Sequence, residues 1–130
     1  MKKTILILIS VATILFFIGT GCSKKSKIRK GTCFIKASNF NVPVGRSFLL
    51  RCPNNCTSFG SIWGTDIYTT DSSICGAAVH SGVLAPGRAG VVRVRIRPGQ
   101  PSYAGSDRNG LRSSSWGSYR TSFTVERRRR

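Results

Sequence analysis

From position 90 the chain reads GVVRVRIR, with Val92, Val94 and Ile96 alternating with Arg93, Arg95 and Arg97. Period-two alternation is the pattern of a half-buried strand. Short apolar runs at Thr32–Lys36, Ser47–Cys52, Ser61–Thr65 and Tyr119–Val125 predict further strands, the third carrying a buried aromatic. Cys52-Pro-Asn-Asn-Cys56 reads as a turn, and Asp107-Arg108-Asn109-Gly110 as a hairpin turn. One stretch changes period. Ser73–Ser81, SICGAAVHS, predicts a helix opened by Asp71 or Ser72 and closed at Gly82. At about 100° per residue its apolar side chains cover most of the circumference, as in a buried helix. Two turns do not hold alone in water. Gly76, Ala77 and Ala78 would let neighbouring backbone come close. The expected class is therefore α+β, a short central helix wrapped by β-sheets.

The N-terminus does not belong to that pattern. Lys2 and Lys3 precede an apolar run from Ile5 to Ile18 and the small residues Gly19, Thr20 and Gly21. A basic start, a short apolar core and a small-residue cleavage site make a secretory signal over residues 1–21. Crossing a bilayer takes about 20 apolar residues, and this run stops sooner. The start resembles bacterial signals. Export puts the remainder in an oxidising compartment, and there the cysteine count matters. Cys22, Cys33, Cys52, Cys56 and Cys75 are five, so one has no partner within the chain. IGTGCS resembles a bacterial lipoprotein signal, in which the cysteine after the cut is lipidated. Gly19 stands where that pattern prefers leucine, and ordinary cleavage after Gly21 is the alternative. The protein is then a membrane-anchored lipoprotein of the bacterial envelope, or secreted if Cys22 carries no lipid.

Charge adds a second constraint. The chain carries 21 basic and 4 acidic residues, a net +17. Loss of the signal leaves 19 basic residues and +15. Such a chain is drawn to anionic phospholipid, lipopolysaccharide or acidic polysaccharide. Export argues against nucleic acid as a physiological partner. Residues 22–30 read as a basic tether able to lie on an anionic leaflet, residues 31–126 as the domain, and residues 127–130 as a basic tail. The arginines of the alternating strand, about 6.6 Å apart, form a candidate anion-binding stripe, since guanidinium grips phosphate or carboxylate through two bonds.

Cys75, His80, Asp71 and the serines around them carry the groups of a nucleophilic site. Five residues apart on a helix, Cys75 and His80 point about 140° apart, and a nucleophile and its base must touch. The CxxxC spacing of Cys52 and Cys56 and the exported location argue against a metal site. No CxxC redox pair is present. These residues read as structural.

The stretch GSIWGTDIYTTDSSICGAAVHSGVL, with CPNNC before it and YAGSDRNGLRSSSWGSYRTSF after it, resembles the LCCL domain. The resemblance covers about Gly31 to Val125 and centres on a YxxxSxxCxAAxHxGV core, here Tyr68, Ser72, Cys75, His80 and Gly82. It implies an extracellular module with a central helix wrapped by sheet, no catalysis and no cofactor. It also implies two disulfides, Cys33–Cys52 and Cys56–Cys75. Most relatives carry the module in larger eukaryotic proteins, and Gly76 stands where a larger residue is common. Family members are linked to host defence, to extracellular matrix and in some cases to lipopolysaccharide or other carbohydrate-lipid ligands. Tyr68, Ser72, His80 and Gly82 are then structural motif residues, His80 hydrogen-bonding strand backbone beside the helix. Two functions remain: a module binding anionic glycolipid or polysaccharide through Arg93, Arg95 and Arg97, or a structural or protein-interaction module of the envelope.

Overall fold

The alternating arginine strand, β5 (Gly90–Gln100), lies inside the sheet in the computed structural model. The structure describes residues 19, 21 and 24–129. Most of the expected leader, Cys22 and Arg130 lie outside the described residues. The other elements are β1 (Ile28–Lys30), β2 (Ser47–Cys52), β3 (Gly64–Thr65), β4 (Ile67–Thr69), α1 (Ile74–His80), β6 (Asp107–Arg108), β7 (Leu111–Arg112) and β8 (Tyr119–Arg127). Six strands form one sheet in the order β1-β2-β5-β8-β4-β3, parallel only between β1 and β2, and β6 and β7 form a separate hairpin. Residues 24–129 thus hold every element found among the described residues and both disulfides.

The apolar half of each alternation builds the core. Val92, Val94 and Ile96 of β5, Phe48, Leu50 and Cys52 of β2, and Phe123 and Val125 of β8 cluster with Tyr68 and α1. All seven residues of α1 are buried. Gly76 is needed there. A Cβ at this position would stand 2.8 Å from Ile62 Cδ1 and from Phe59 Cβ. Asn109 and Gly110, at φ 52° and 78°, turn β6 into β7, the positive φ pair of a tight hairpin turn.

Four local expectations are corrected. The helix cap is Ser73, whose Oγ accepts from Gly76 N at 3.1 Å. Asp71 and Ser72 are engaged elsewhere: Asp71 accepts from Thr69 Oγ1, and Ser72 Oγ accepts from Trp63 N. Thr32–Lys36 is not a strand. Its carbonyls serve the helix start, Cys33 O accepting from Ser73 Oγ and Ile35 O from Ile74 N. In Ser61–Thr65 only Gly64–Thr65 is strand, and the buried side chain is Ile62, with Trp63 half-buried. The terminal strands reach past the bounds expected for the domain. Ile28–Lys30 of the tether is a strand because it pairs in parallel with β2, and Arg29 lies over the Phe40 and Phe48 rings, 5.0 and 4.8 Å from their centroids. Arg127 of the tail closes β8.

The disulfide pairing is the largest correction. The bridges are Cys33–Cys56 and Cys52–Cys75, not Cys33–Cys52 and Cys56–Cys75. Phe48, Leu50 and Cys52 alternate toward the core, so Cys52 meets Cys75 in the first turn of α1. Cys33, in the turn after β1, meets Cys56 in the loop after β2, and both are only half-buried. Peptide mapping without reduction should recover these two interleaved links, and a Cys33–Cys52 peptide would contradict them. Both bridges separate their cysteines by 23 residues. Chain entropy therefore gives each the same contribution, about 3 kcal/mol. Replacing Cys52 and Cys75 by alanine should destabilise more than replacing Cys33 and Cys56 in denaturant titrations, because only the former leaves a buried cavity.

Candidate anion-binding face and the buried histidine

Strand register brings further cations beside the arginine stripe. Arg93 lies opposite Leu49 of β2 and Glu126 of β8, and Arg95 lies opposite Ser47 and Thr124. Partners in register share a face, so the same alternation places Arg51 of β2 and Lys30 of β1 on the outer side with Arg93, Arg95 and Arg97. Leu49, Ile28 and Val91 are apolar residues among them, Leu49 only 4% exposed. Glu126 is the one acid on this face, 3.3 Å from Arg95 through Nε–Oε1. Both side chains of that pair are more than two-fifths exposed, so the bond is screened by solvent and weak. Arg97 is exposed, and Arg93 Nη1 reaches Ser47 Oγ at 3.5 Å.

The remaining acids lie elsewhere. Asp66 accepts from Arg108 at 2.7 Å and Asp107 from Arg112 at 2.8 Å, both at the β6–β7 hairpin. The Arg112 guanidinium holds the Asp107 carboxyl below its usual range. Asp71 accepts from Thr69 beside the helix start. Glu126 is thus the one acid set against the cations of the outer sheet face. The stripe was readable from alternation alone. Lys30 and Arg51 were not, because their place beside it depends on which strands pair. Arg51 had one signal, since it follows Leu49 and Leu50 in the phase opposite Phe48 and Cys52.

The Cys75 and His80 region is closed chemistry. Cys75 is bridged to Cys52. His80 is fully buried. Its Nε2 lies 3.0 Å from Ser106 O, and its Nδ1 lies 2.9 Å from Tyr68 Oη. A carbonyl only accepts, so Nε2 carries the proton and Tyr68 O–H donates to Nδ1. The backbone acceptor is not a sheet strand, as expected, but the residue just before β6. The Tyr68 ring meets His80 edge-on at 5.7 Å. Burial raises the Tyr68 phenol above its ordinary pKa. Ser72 Oγ also meets Thr69 Oγ1 at 2.9 Å. Gly82, at φ 81°, ends the helix with its N–H donating to Val79 O, and Asn109 Nδ2 donates to His80 O. Tyr68 and His80 thus meet each other, while Ser72 bonds Trp63 and Thr69 and Gly82 bonds Val79.

Comparison with known proteins points one way. The sequence model of the LCCL domain matches residues 22–123. Vitrin of Homo sapiens is 36% identical over 124 residues, 90% of this chain and 18% of its own length. Clotting factor C of Tachypleus tridentatus is 38% identical over 99 residues, 75% of this chain and 10% of its own. Cochlin of Homo sapiens is 43% identical over 75 residues, 57% of this chain and 14% of its own. The chain therefore spans less than a fifth of the length of these relatives.

The histidine geometry predicts two outcomes. His80→Ala strips partners from Tyr68 Oη and Ser106 O and opens a cavity, so it should cost about 2–5 kcal/mol in denaturant unfolding. A phenol whose folded pKa is raised keeps its stabilising effect below its unfolded pKa and loses it as pH rises through the folded one. Stability should therefore fall above about pH 10, and the fall should flatten in Tyr68→Phe.

Proposed function

The chain belongs to the LCCL domain family, and on that premise we propose that it is a non-catalytic, extracytoplasmic module that binds anionic glycolipid or polysaccharide through its outer sheet face. The observation that carries this reading is the segregation of charge: Lys30, Arg51, Arg93, Arg95 and Arg97 share a face with a single acid, Glu126. Guanidinium groups about 6.6 Å apart along a strand, of which Arg95 alone meets an acid through a solvent-screened bond, match repeating phosphate or carboxylate groups. Two disulfides support an oxidising, exported location. Export through the N-terminal signal and lipidation of Cys22 belong to the same proposal, with residues 24–27 of the tether adding attraction to an anionic leaflet.

A role as a protein-interaction module of the envelope is the second reading. It is favoured by Trp116, which is 51% exposed beside Trp63 with ring centroids 6.0 Å apart. The two readings separate in one experiment on residues 24–129. Binding to dextran sulfate or to lipopolysaccharide vesicles should weaken steeply with salt. The triple variant R93Q/R95Q/R97Q should bind at least tenfold more weakly while unfolding at an unchanged denaturant concentration. Unchanged binding by a folded triple variant would end the anion reading for this face. An envelope protein retained at high salt would support the second.

A further inference from the structure

The outer face contains one place where cations from both ends of the domain converge. Lys24 and Lys25, which lead into β1, and Arg128 and Arg129, which leave β8, line a single hollow with Ile28, Leu49 and Arg93. Its lining holds five cations and no acid. The floor is apolar, since Leu49 is 4% exposed and Ile28 half-buried. The two arms meet because of register: Ile28 pairs with Leu49, Leu49 with Arg93 and Arg93 with Glu126, so the start of β1 and the end of β8 lie in the same row of the sheet.

We infer that this hollow seats the phosphate of an anionic lipid headgroup, so that the domain docks on a bilayer through the β1–β2–β5 part of its outer face. The inference rests on the anion-binding reading above and narrows it to one ligand source. A ring of cations alone would suit any polyanion. Cations around an apolar floor suit a phosphate joined to an apolar glycerol ester. The chain's course points the same way. Cys22 is two residues before Lys24, a reach of at most about 7 Å. A lipid anchor there would hold the hollow against the leaflet. Docked so, the domain turns α1 and the β6–β7 hairpin outward, since they pack on the opposite face of the sheet.

Trp63 and Trp116, the two tryptophans of the chain, report on this orientation. Trp63 precedes β3, the edge opposite β1. Five strand spacings of about 4.8 Å, roughly 24 Å, separate those edges, and sheet twist turns the far edge further from the leaflet.

The test uses residues 24–129 and vesicles of equimolar phosphatidylcholine and phosphatidylglycerol, with dextran sulfate as the lipid-free polyanion. A cation near an anionic leaflet is worth about fivefold in partitioning, so R128Q/R129Q should bind vesicles roughly thirty-fold more weakly. R108Q/R112Q removes the same charge from the hairpin and should change vesicle binding little. R128Q/R129Q should affect dextran sulfate much less than vesicles. Brominated phospholipid should leave tryptophan emission largely unquenched in the bound native protein. Equal loss in the two double variants, equal loss toward dextran sulfate and vesicles, or strong tryptophan quenching would each overturn the lipid seat while leaving the anion reading intact. Failure of the native segment to bind either probe would end both.

Discussion

A seven-residue helix with every side chain buried is the constraint on which the rest of this structure depends. Two turns of helix are too few to persist alone in water, and each end leaves backbone groups unpaired. At its start, Ser73 caps Gly76 N, and Ile35 O takes Ile74 N. At its end, Asn109 of the hairpin turn holds His80 O, and Gly82 provides the left-handed turn. The Cys52–Cys75 bridge fastens the first turn to β2. Elements far apart in sequence thus complete one short helix.

The same constraint explains why reactive-looking residues are inert here. A buried imidazole needs a partner for each nitrogen, because an unmet polar group costs about 1–3 kcal/mol. Tyr68 and Ser106 supply them, and Tyr68 is itself in the core against Phe123, ring centroids 5.8 Å apart. The thiol of Cys75 is consumed in its bridge. Chemistry that looks catalytic in one dimension is hydrogen bonding and crosslinking in three.

The sheet divides the labour. Its inner face is apolar and closes over α1, so the cations displaced from it accumulate on the outer face. Each strand contributes one or a few, and pairing gathers them. An interior strand such as β5 has no free edge, so its arginines are not there to discourage edge pairing. Three of the four acids are held at the hairpin or beside the helix start.

Local patterns read from the sequence determined the strand at β5, the hairpin turn at Asn109-Gly110, the buried helix and the arginine stripe. Each depends on neighbours within a few residues, as alternation, turn chemistry and helical periodicity do. The motif core around Tyr68 and His80 likewise identified the family. Tertiary structure decided the rest. The cysteine pairing follows from which way Cys52 faces once β2 packs on α1. The cap moved to Ser73 because Trp63, nine positions before Ser72, takes the Ser72 hydroxyl. The end of the basic tether, Ile28–Lys30, became a strand because β2 offers it a parallel partner, with Phe40 and Phe48 beneath Arg29. The stripe widened into a face because β2 lies beside β5 and β1 beside β2, pairings between segments about 44 and 21 residues apart, as in Leu49 with Arg93 and Ile28 with Leu49, which no local window contains.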